Sequence, residues 1–269
     1  MNRSLFAAAL TAVTLFSNVV ALGDDATATQ LFAEAKSLFD QRLDNSKNDQ
    51  AIVKLDQAFA QAESDDLKYD ILILSSRAYY WQGERKSKDG EKMTSHQAGI
   101  DKAKAAQAVN ADYADAYYFE GINLGKWALA KGVLASLSRK GELITAAQNA
   151  IDRTTKDGEA GETIDGYGPA RTLGRLYFKL PSFAGGSREK SLKYLNEAAQ
   201  KAPGVALNFV YLAETLYDKK EDRELAKKTL DTLIDRADRD PSSFAPDKAP
   251  ETKYEIEEAR QLRKEMGSK

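Results

Sequence analysis

Residues 168–203 read GPARTLGRLYFKLPSFAGGSREKSLKYLNEAAQKAP, and the positions of their small residues are the most informative feature of the chain. Apolar residues recur here at three- and four-residue spacing, which is typical of helices. Gly174 follows Leu173 in the first half, and Ser191 and Ala198 stand in the second half. Small residues let two helices approach closely, while large residues fill the space between them. The stretch therefore predicts a helical hairpin, with Gly174 where its two helices nearly touch.

The same combination of small and large residues recurs on both sides of this stretch. The matching positions are Ala35, Leu38, Ala51, Leu55 and Ala58; Leu72, Ser76, Gly99, Ala103 and Ala106; Tyr117, Gly121 and Leu124; and Leu212, Ala213, Ala226 and Leu230. This spacing is that of tetratricopeptide units, whose paired helices stack on one another. The sequence predicts an all-α fold, a right-handed solenoid of about five tetratricopeptide-like helical hairpins, with residues 253–266 as a C-terminal capping helix.

Interruptions of this pattern predict where the helices end. All six prolines lie at Pro169 or later, and Pro169 suits the first turn of a helix because that position needs no N–H donor. Polar insertions at residues 45–49, 83–94, 155–165 and 180–186 are predicted to be loops. We therefore expect uneven connections between the hairpins rather than a strict tandem array.

The first residues have the organisation of a secretory signal peptide. Arg3 precedes an apolar stretch over residues 5–22, and small residues then lead into Asp24. This order predicts a signal peptide over residues 1–23 and a tetratricopeptide-like domain over residues 24–269. A retained membrane anchor is the alternative, because the apolar stretch approaches the length of a membrane span. Since the chain has no cysteine that could accept a lipid, we expect a periplasmic, soluble protein that is not lipidated.

The composition narrows the chemistry available to the chain. It has no cysteine and one histidine, His96, so thiol nucleophiles and zinc sites built from Cys or several His are excluded. The formal net charge is −2 with both signs interspersed, which does not indicate a nucleic-acid partner. No nucleophile–base pair is recognisable in the sequence. We predict a binding protein rather than an enzyme, with no cofactor and no metal.

Three motifs within the repeat region resemble a known family. GPARTLGRLY at 168–177, KLPSFAGG at 179–186 and EKSL at 189–192 together resemble the signature of the T component of TRAP transporter systems. The resemblance extends over most of residues 116–240, but only the segment around these motifs is specific to the family. It implies a periplasmic helical-repeat protein that associates with a TRAP substrate-binding subunit.

The resemblance also implies a homo-oligomer with a pore through each subunit, and binding of small, partly apolar ligands such as acids. Some members of that family are lipoproteins, and this chain departs from them because it lacks the required cysteine. The alternative function is a general envelope scaffold that docks a peptide or a partner protein in its concave groove.

Two arginines in the family-like segment are candidates for ligand binding. Arg171 and Arg175 lie one helical turn apart and so share a face of the predicted helix. Guanidinium groups match the geometry of a carboxylate, and the pair could therefore clamp an acidic ligand. The alternative is that both arginines form salt bridges to acidic side chains of a neighbouring helix.

Aromatic residues beyond those that the repeat needs are a second set of candidates. Trp81, Tyr118 and Trp127 fall outside the repeat core positions and could line an apolar pocket, although such residues are more often core. Tyr79 and Tyr117 fit core positions. His96 follows Thr94 and Ser95 and is expected in the first turn of a helix, either exposed or hydrogen-bonded.

Overall fold

The computed structural model describes residues 24–267, and the predicted signal peptide lies outside them. The chain there forms α1 (Asp25–Asp40), α2 (Asn45–Gln61), α3 (Asp65–Glu84), α4 (Asp89–Val109), α5 (Ala114–Lys131), α6 (Lys140–Ile151), α7 (Ile164–Lys179), α8 (Arg188–Lys201), α9 (Ala206–Tyr217), α10 (Arg223–Arg239) and α11 (Ala249–Gly267). Short 3₁₀ turns occupy several of the connections.

Consecutive helices pair into five hairpins: α1 with α2, α3 with α4, α5 with α6, α7 with α8, and α9 with α10. The first helix of each hairpin also packs on the first helix of the next hairpin, so the hairpins stack in chain order. α11 packs on α9 and α10 through Ile256, Ala259 and Met266. The predicted all-α repeat fold of five hairpins and a C-terminal capping helix is confirmed. The right-handed sense of the solenoid stays a prediction.

The small residues of the repeat lie where helices approach one another. A Cβ atom at Gly174 in α7 would lie 2.6 Å from Leu195 Cγ and 3.2 Å from the Ser191 carbonyl oxygen in α8. At separations this short, a side chain on residue 174 would force Leu195 or the α8 backbone to move. The prediction that the two helices of this hairpin nearly touch at Gly174 is confirmed.

The start of α7 is a turn of left-handed backbone. Asp165, Gly166 and Tyr167 have φ values of 54°, 63° and 59°. Each left-handed residue other than glycine costs about 1–2 kcal/mol, so surrounding groups must hold this turn in place. Pro169 follows at once, in the first regular turn of the helix, as its fixed φ predicts.

The predicted loops are confirmed in part. Residues 155–165 and 180–186 lie largely in connections with short 3₁₀ turns. Residues 45–49, however, begin α2, where the Asp44 side chain caps the helix by accepting a hydrogen bond from the Ser46 N–H. The connection in 83–94 is likewise short, because α3 continues to Glu84 and α4 begins at Asp89. Local polarity in these two segments marks exposed helix faces rather than loops.

α11 extends beyond the last hairpin and reaches the first. Arg42, in the turn between α1 and α2, forms an ion pair with Glu251 of α11. The ring of Tyr254 lies 6.1 Å from that of Trp81 in α3. α11 therefore spans from the final hairpin to the first two across the side formed by the first helices. No helix among the described residues combines the length and the apolarity needed to cross a membrane.

Candidate functional site

A cavity of about 150 Å³ lies on the side of the molecule formed by the first helices of the hairpins. α1, α3, α5, α7 and α9 all contribute to its wall, together with Lys140 and Leu143 of α6 and two side chains of α11. An apolar cavity of about this volume can hold a benzene-sized molecule. The repeat architecture therefore creates a site large enough for a small organic ligand.

Part of the wall is apolar and part is charged. The apolar part includes Phe39, Trp81, Phe119, Ile122, Leu124, Leu176 and Leu207. The charged part consists of Arg77, Lys126, Arg139, Lys140, Arg171, Arg175, Lys179 and Lys248, against the acidic residues Asp165, Glu251 and Glu255. Basic side chains thus outnumber acidic ones in the wall. Several of these bases are neutralised by carboxylates that stand just behind the wall.

Asp165 is the centre of one charged cluster. Its carboxylate accepts hydrogen bonds from Arg171 Nη2 at 2.5 Å and from the Tyr118 hydroxyl at 2.5 Å, and it forms an ion pair with Lys248. Burial alone would raise the pKa of this carboxyl, but Lys248 and Arg171 outweigh it and hold the pKa below its usual range. Asp165 is therefore ionised at neutral pH.

Arg171 also holds the left-handed turn. Its Nη1 donates to the carbonyl oxygens of Asp165 and Gly166, at 3.1 and 3.3 Å, and to Asn208 Oδ1 at 2.9 Å. Asn208 in turn donates to the Gly166 carbonyl oxygen at 3.2 Å. These bonds supply the external support that the strained backbone needs. These contacts show that Arg171 has a structural role in the turn.

Arg175 is paired on the neighbouring hairpin. Its guanidinium forms an ion pair with Glu214 of α9, which also binds Lys179 Nζ at 2.6 Å. The same guanidinium lies 4.2 Å from the centre of the Tyr211 ring. Burial raises the pKa of Glu214, but Arg175 and Lys179 outweigh that effect and lower it. Both arginines of the predicted clamp therefore already carry a carboxylate partner.

A third cluster contains the one histidine of the chain. Lys126 forms an ion pair with Glu84, and His96 Nε2 lies 3.6 Å from the same carboxylate. Burial opposes ionisation, but Lys126 prevails and lowers the pKa of Glu84 to about 2. His96 Nδ1 lies 3.2 Å from Asn123 Oδ1. His96 is hydrogen-bonded inside α4, so the expectation that it stands in the first turn of a helix is wrong.

Glu255 is the acidic group of the wall that lacks a basic partner at bonding distance. Its Oε2 accepts a hydrogen bond from the Leu207 N–H at 3.0 Å, at the start of α9. Burial raises the pKa of Glu255 to about 7, and the like charges of Asp165 and Glu251 add to this, while Arg171 opposes it. The Glu255 carboxyl therefore titrates near neutral pH, well above the ordinary range of a glutamate.

Four of the five residues predicted to bind ligand lie in the cavity wall: Trp81, Tyr118, Arg171 and Arg175. Trp81 is buried and its Nε1 donates to the Arg42 carbonyl oxygen at 2.6 Å. Trp127 does not line the cavity. It packs against Ile100, Leu124 and Leu143, and the Arg139 guanidinium lies 4.9 Å from its ring. Trp127 therefore lies where the alternative interpretation expects it, as a residue of the packed core.

Arg77 is a wall residue that the sequence interpretation missed. Its guanidinium lies 5.4 Å from the centre of the Phe39 ring and 5.6 Å from that of Phe119. One signal in the sequence could have identified it. Arg77 precedes Trp81 by one helical turn, so the two share a face of α3 that is otherwise largely apolar.

Among the side chains that the structure describes, no group of three or more His, Asp or Glu is arranged to hold a metal ion. Comparison of the sequence with protein-family models and with curated proteins found no match.

Proposed function

We propose that this protein is a periplasmic binding protein that holds a small, partly apolar acid in the cavity formed by its five hairpins. We further propose that it works with a TRAP substrate-binding subunit, in the manner of the T component that its motifs resemble. The observation that carries the proposal is the cavity wall, which combines aromatic surface with an excess of basic side chains. Apolar walls with a few oriented polar groups are typical of small-molecule sites.

The composition of the wall favours an acid over a neutral or cationic ligand. Asp165 and Glu251 are held by Arg171, Lys248 and Arg42, and Glu255 is partly protonated at neutral pH. The remaining basic charge attracts an anion, while the aromatic side chains exclude water from its apolar body. The cavity volume matches a ligand with one ring or a short branched chain.

Two exposed apolar side chains beside the cavity support association with a protein partner. Phe183 is 81% exposed and Leu134 is 67% exposed. Their loops meet where Lys140 Nζ donates to the Ala184 carbonyl oxygen at 2.8 Å, and Lys140 itself lines the cavity. Single exposed apolar side chains are common on protein surfaces, so these two support a partner contact through their position beside the cavity and not through their exposure alone. They equally favour the second candidate, an envelope scaffold that docks a partner protein.

Purification from the native host tests the proposal directly. The mature protein is isolated from the periplasmic fraction, and native mass spectrometry reports bound small molecules, protein partners and oligomeric state. A bound organic acid together with a TRAP substrate-binding subunit is the expected result. A protein partner with no small molecule, in preparations that also bind no added acid, would favour the scaffold. Recovery in the membrane with residues 1–23 attached would contradict the predicted cleavage.

A further inference from the structure

The basic residues of the cavity wall differ in whether they have a partner. Arg171 is bonded to Asp165 at 2.5 Å, Arg139 to Glu142 at 2.8 Å, and Lys179 to Glu214 at 2.6 Å. Arg175, Lys126 and Lys248 also form ion pairs with carboxylates. Lys140 has no carboxylate partner among the described side chains but donates to the Ala184 carbonyl oxygen.

Arg77 is the exception. Among the side chains that the structure describes, no carboxylate lies within 4.0 Å of its guanidinium, and no protein atom accepts a hydrogen bond from it. Its neighbours are the faces of Phe39 and Phe119, which attract the cation but do not bond to its N–H groups. All five donors of the fork are therefore available to a molecule in the cavity.

The surroundings of Arg77 favour a ligand with both a charged and an apolar part. The residue is half-buried beside the buried apolar side chains of Phe39 and Phe119, and its nitrogens are not among the buried polar atoms without a partner. Water therefore reaches the guanidinium in the free protein, and a carboxylate can replace that water with charge-assisted hydrogen bonds. The attraction of the two ring faces for the guanidinium favours the orientation that the structure shows. A group that already stands in its binding orientation loses less entropy when a ligand binds.

We propose that Arg77 anchors the head group of the cavity ligand, and that the ligand is a small monocarboxylate with an aromatic or branched aliphatic body. This rests on the proposed function and specifies the chemistry of its site. A carboxylate matches the guanidinium fork with two parallel hydrogen bonds. A single negative charge suffices because the other guanidiniums of the wall are already neutralised. The apolar body lies against Phe39, Trp81 and Phe119.

The test compares acids with their neutral amides on one protein. Phenylacetate and 4-methylpentanoate are titrated against the purified mature protein by calorimetry, beside phenylacetamide and 4-methylpentanamide. The two members of each pair have nearly the same shape and differ in charge. We expect each acid to bind at least about tenfold more tightly than its amide, since charge-assisted hydrogen bonds exceed neutral ones by about that factor.

Arg77→Gln is expected to remove the preference for the acid and leave amide binding within about twofold. Arg77→Lys, which keeps the charge but loses the fork, is expected to retain part of the preference. Arg153→Gln is the control outside the cavity wall. Arg153 also lies over an aromatic ring, 4.4 Å from the centre of Tyr117, and forms no ion pair with a described carboxylate, but it donates hydrogen bonds to Ala111 and Asn149.

Three outcomes would overturn the proposal in distinguishable ways. If Arg77→Gln retains the preference for the acid, another group holds the carboxylate and Arg77 is not the anchor. If acids and amides bind equally to the unsubstituted protein, the cavity binds small molecules without an anionic anchor. The inference about Arg77 then fails together with the proposed preference for an acid, while the proposal of a small-molecule site stands. If no member of either pair binds, the proposed function fails with it. If Arg77→Gln does not fold, Arg77→Lys is measured in its place. An unchanged preference for the acid in that variant would show that the Arg77 guanidinium does not bind the carboxylate through its two parallel hydrogen bonds.

Discussion

At the scale of single residues, the cavity wall contains two kinds of charged group. Asp165, Arg171 and Lys248 neutralise one another and support a strained turn. Among the side chains that the structure describes, Arg77 has no carboxylate partner and Glu255 has no basic partner at bonding distance. The first kind should affect mainly the free energy of unfolding. The second kind should respond to pH or to a ligand. Substitutions at Arg171 and Glu255 separate the two kinds experimentally.

Arg171→Ala should lower stability. The change leaves only Lys248 and Tyr118 as partners of the Asp165 carboxylate. It also removes the hydrogen bonds to carbonyl oxygens of the left-handed turn. We expect the free energy of unfolding to fall by about 3 kcal/mol. Chemical denaturation measures that cost, and phenylacetate titration measures affinity in parallel. A loss of stability with unchanged affinity would exclude Arg171 as a ligand clamp. A loss of affinity with unchanged stability would instead show that the predicted clamp is correct.

Glu255→Gln should change how stability depends on pH. The pKa of Glu255 is about 7 in the folded protein, against 4.5 as its ordinary value, so folding retains a proton that the unfolded chain releases. Stability due to this group is therefore highest below pH 4.5 and falls as the pH rises through 7. As the pH rises from 4.5 to 8, the free energy of unfolding of Glu255→Gln should therefore increase by on the order of 3 kcal/mol relative to that of the unsubstituted protein.

Denaturation curves at several pH values measure this difference, because the glutamine keeps an oxygen for the Leu207 N–H. A stability difference that does not vary between pH 4.5 and pH 8 would show that the Glu255 carboxyl is not shifted. The difference between the unfolding free energies of the two proteins at each pH removes the contribution of the other titrating groups, which both proteins share.

At the scale of helices, glycines have different roles at different positions. Gly174 leaves room for Leu195, while Gly185 adopts a φ of 90° in the connection after α7. Gly141, near the start of α6, has neither role, because a Cβ there would meet nothing within 4 Å. The three positions therefore separate close packing, backbone strain and simple chain flexibility.

Gly174→Leu should be destabilising by about 1–3 kcal/mol or more, because the added side chain overlaps Leu195 and the α8 backbone. Gly185→Ala should cost about 1–2 kcal/mol through its positive φ. Gly141→Ala is the control and should be neutral or stabilising by less than about 1 kcal/mol. Thermal melts of the three variants give the comparison. Equal melting temperatures for Gly174→Leu and the unsubstituted protein would contradict the close contact within the hairpin.

At the scale of the whole molecule, the sequence predicted the hairpins well because their signal is local. Leu173 and Gly174 are adjacent in the chain, and the spacing from Ser191 to Ala198 repeats along one helix face. The ion pairs of the wall could not be predicted in this way. Arg175 and Glu214 are 39 residues apart, and Arg42 and Glu251 are 209 apart. The lack of a carboxylate partner for Arg77 could not be predicted either, because it depends on where every acidic side chain lies. Only the folded structure shows those positions.

Glu251→Gln should loosen both ends of the molecule together. Arg42 is 3% exposed, and its ion pair with Glu251 joins the first hairpin to α11. Hydrogen exchange is expected to accelerate both in α11 and in the turn that contains Arg42. Glu257→Gln, on an exposed position of the same helix, should leave both rates unchanged. Faster exchange confined to α11 would mean that the contact does not stabilise the first hairpin.

The reach of α11 back to the first hairpin also has a consequence for the order of folding. Each hairpin can form from neighbouring residues as soon as its two helices have been synthesised, since stacked repeats depend mainly on adjacent units. The link from Arg42 to Glu251 joins residues 209 positions apart and must wait for the last helix. A chain that ends before residue 249 would therefore stack its hairpins without Glu251 and Glu255, the two side chains of α11 in the cavity wall. The wall is completed only when the final helix has packed in place, so ligand binding is expected to depend on the whole chain.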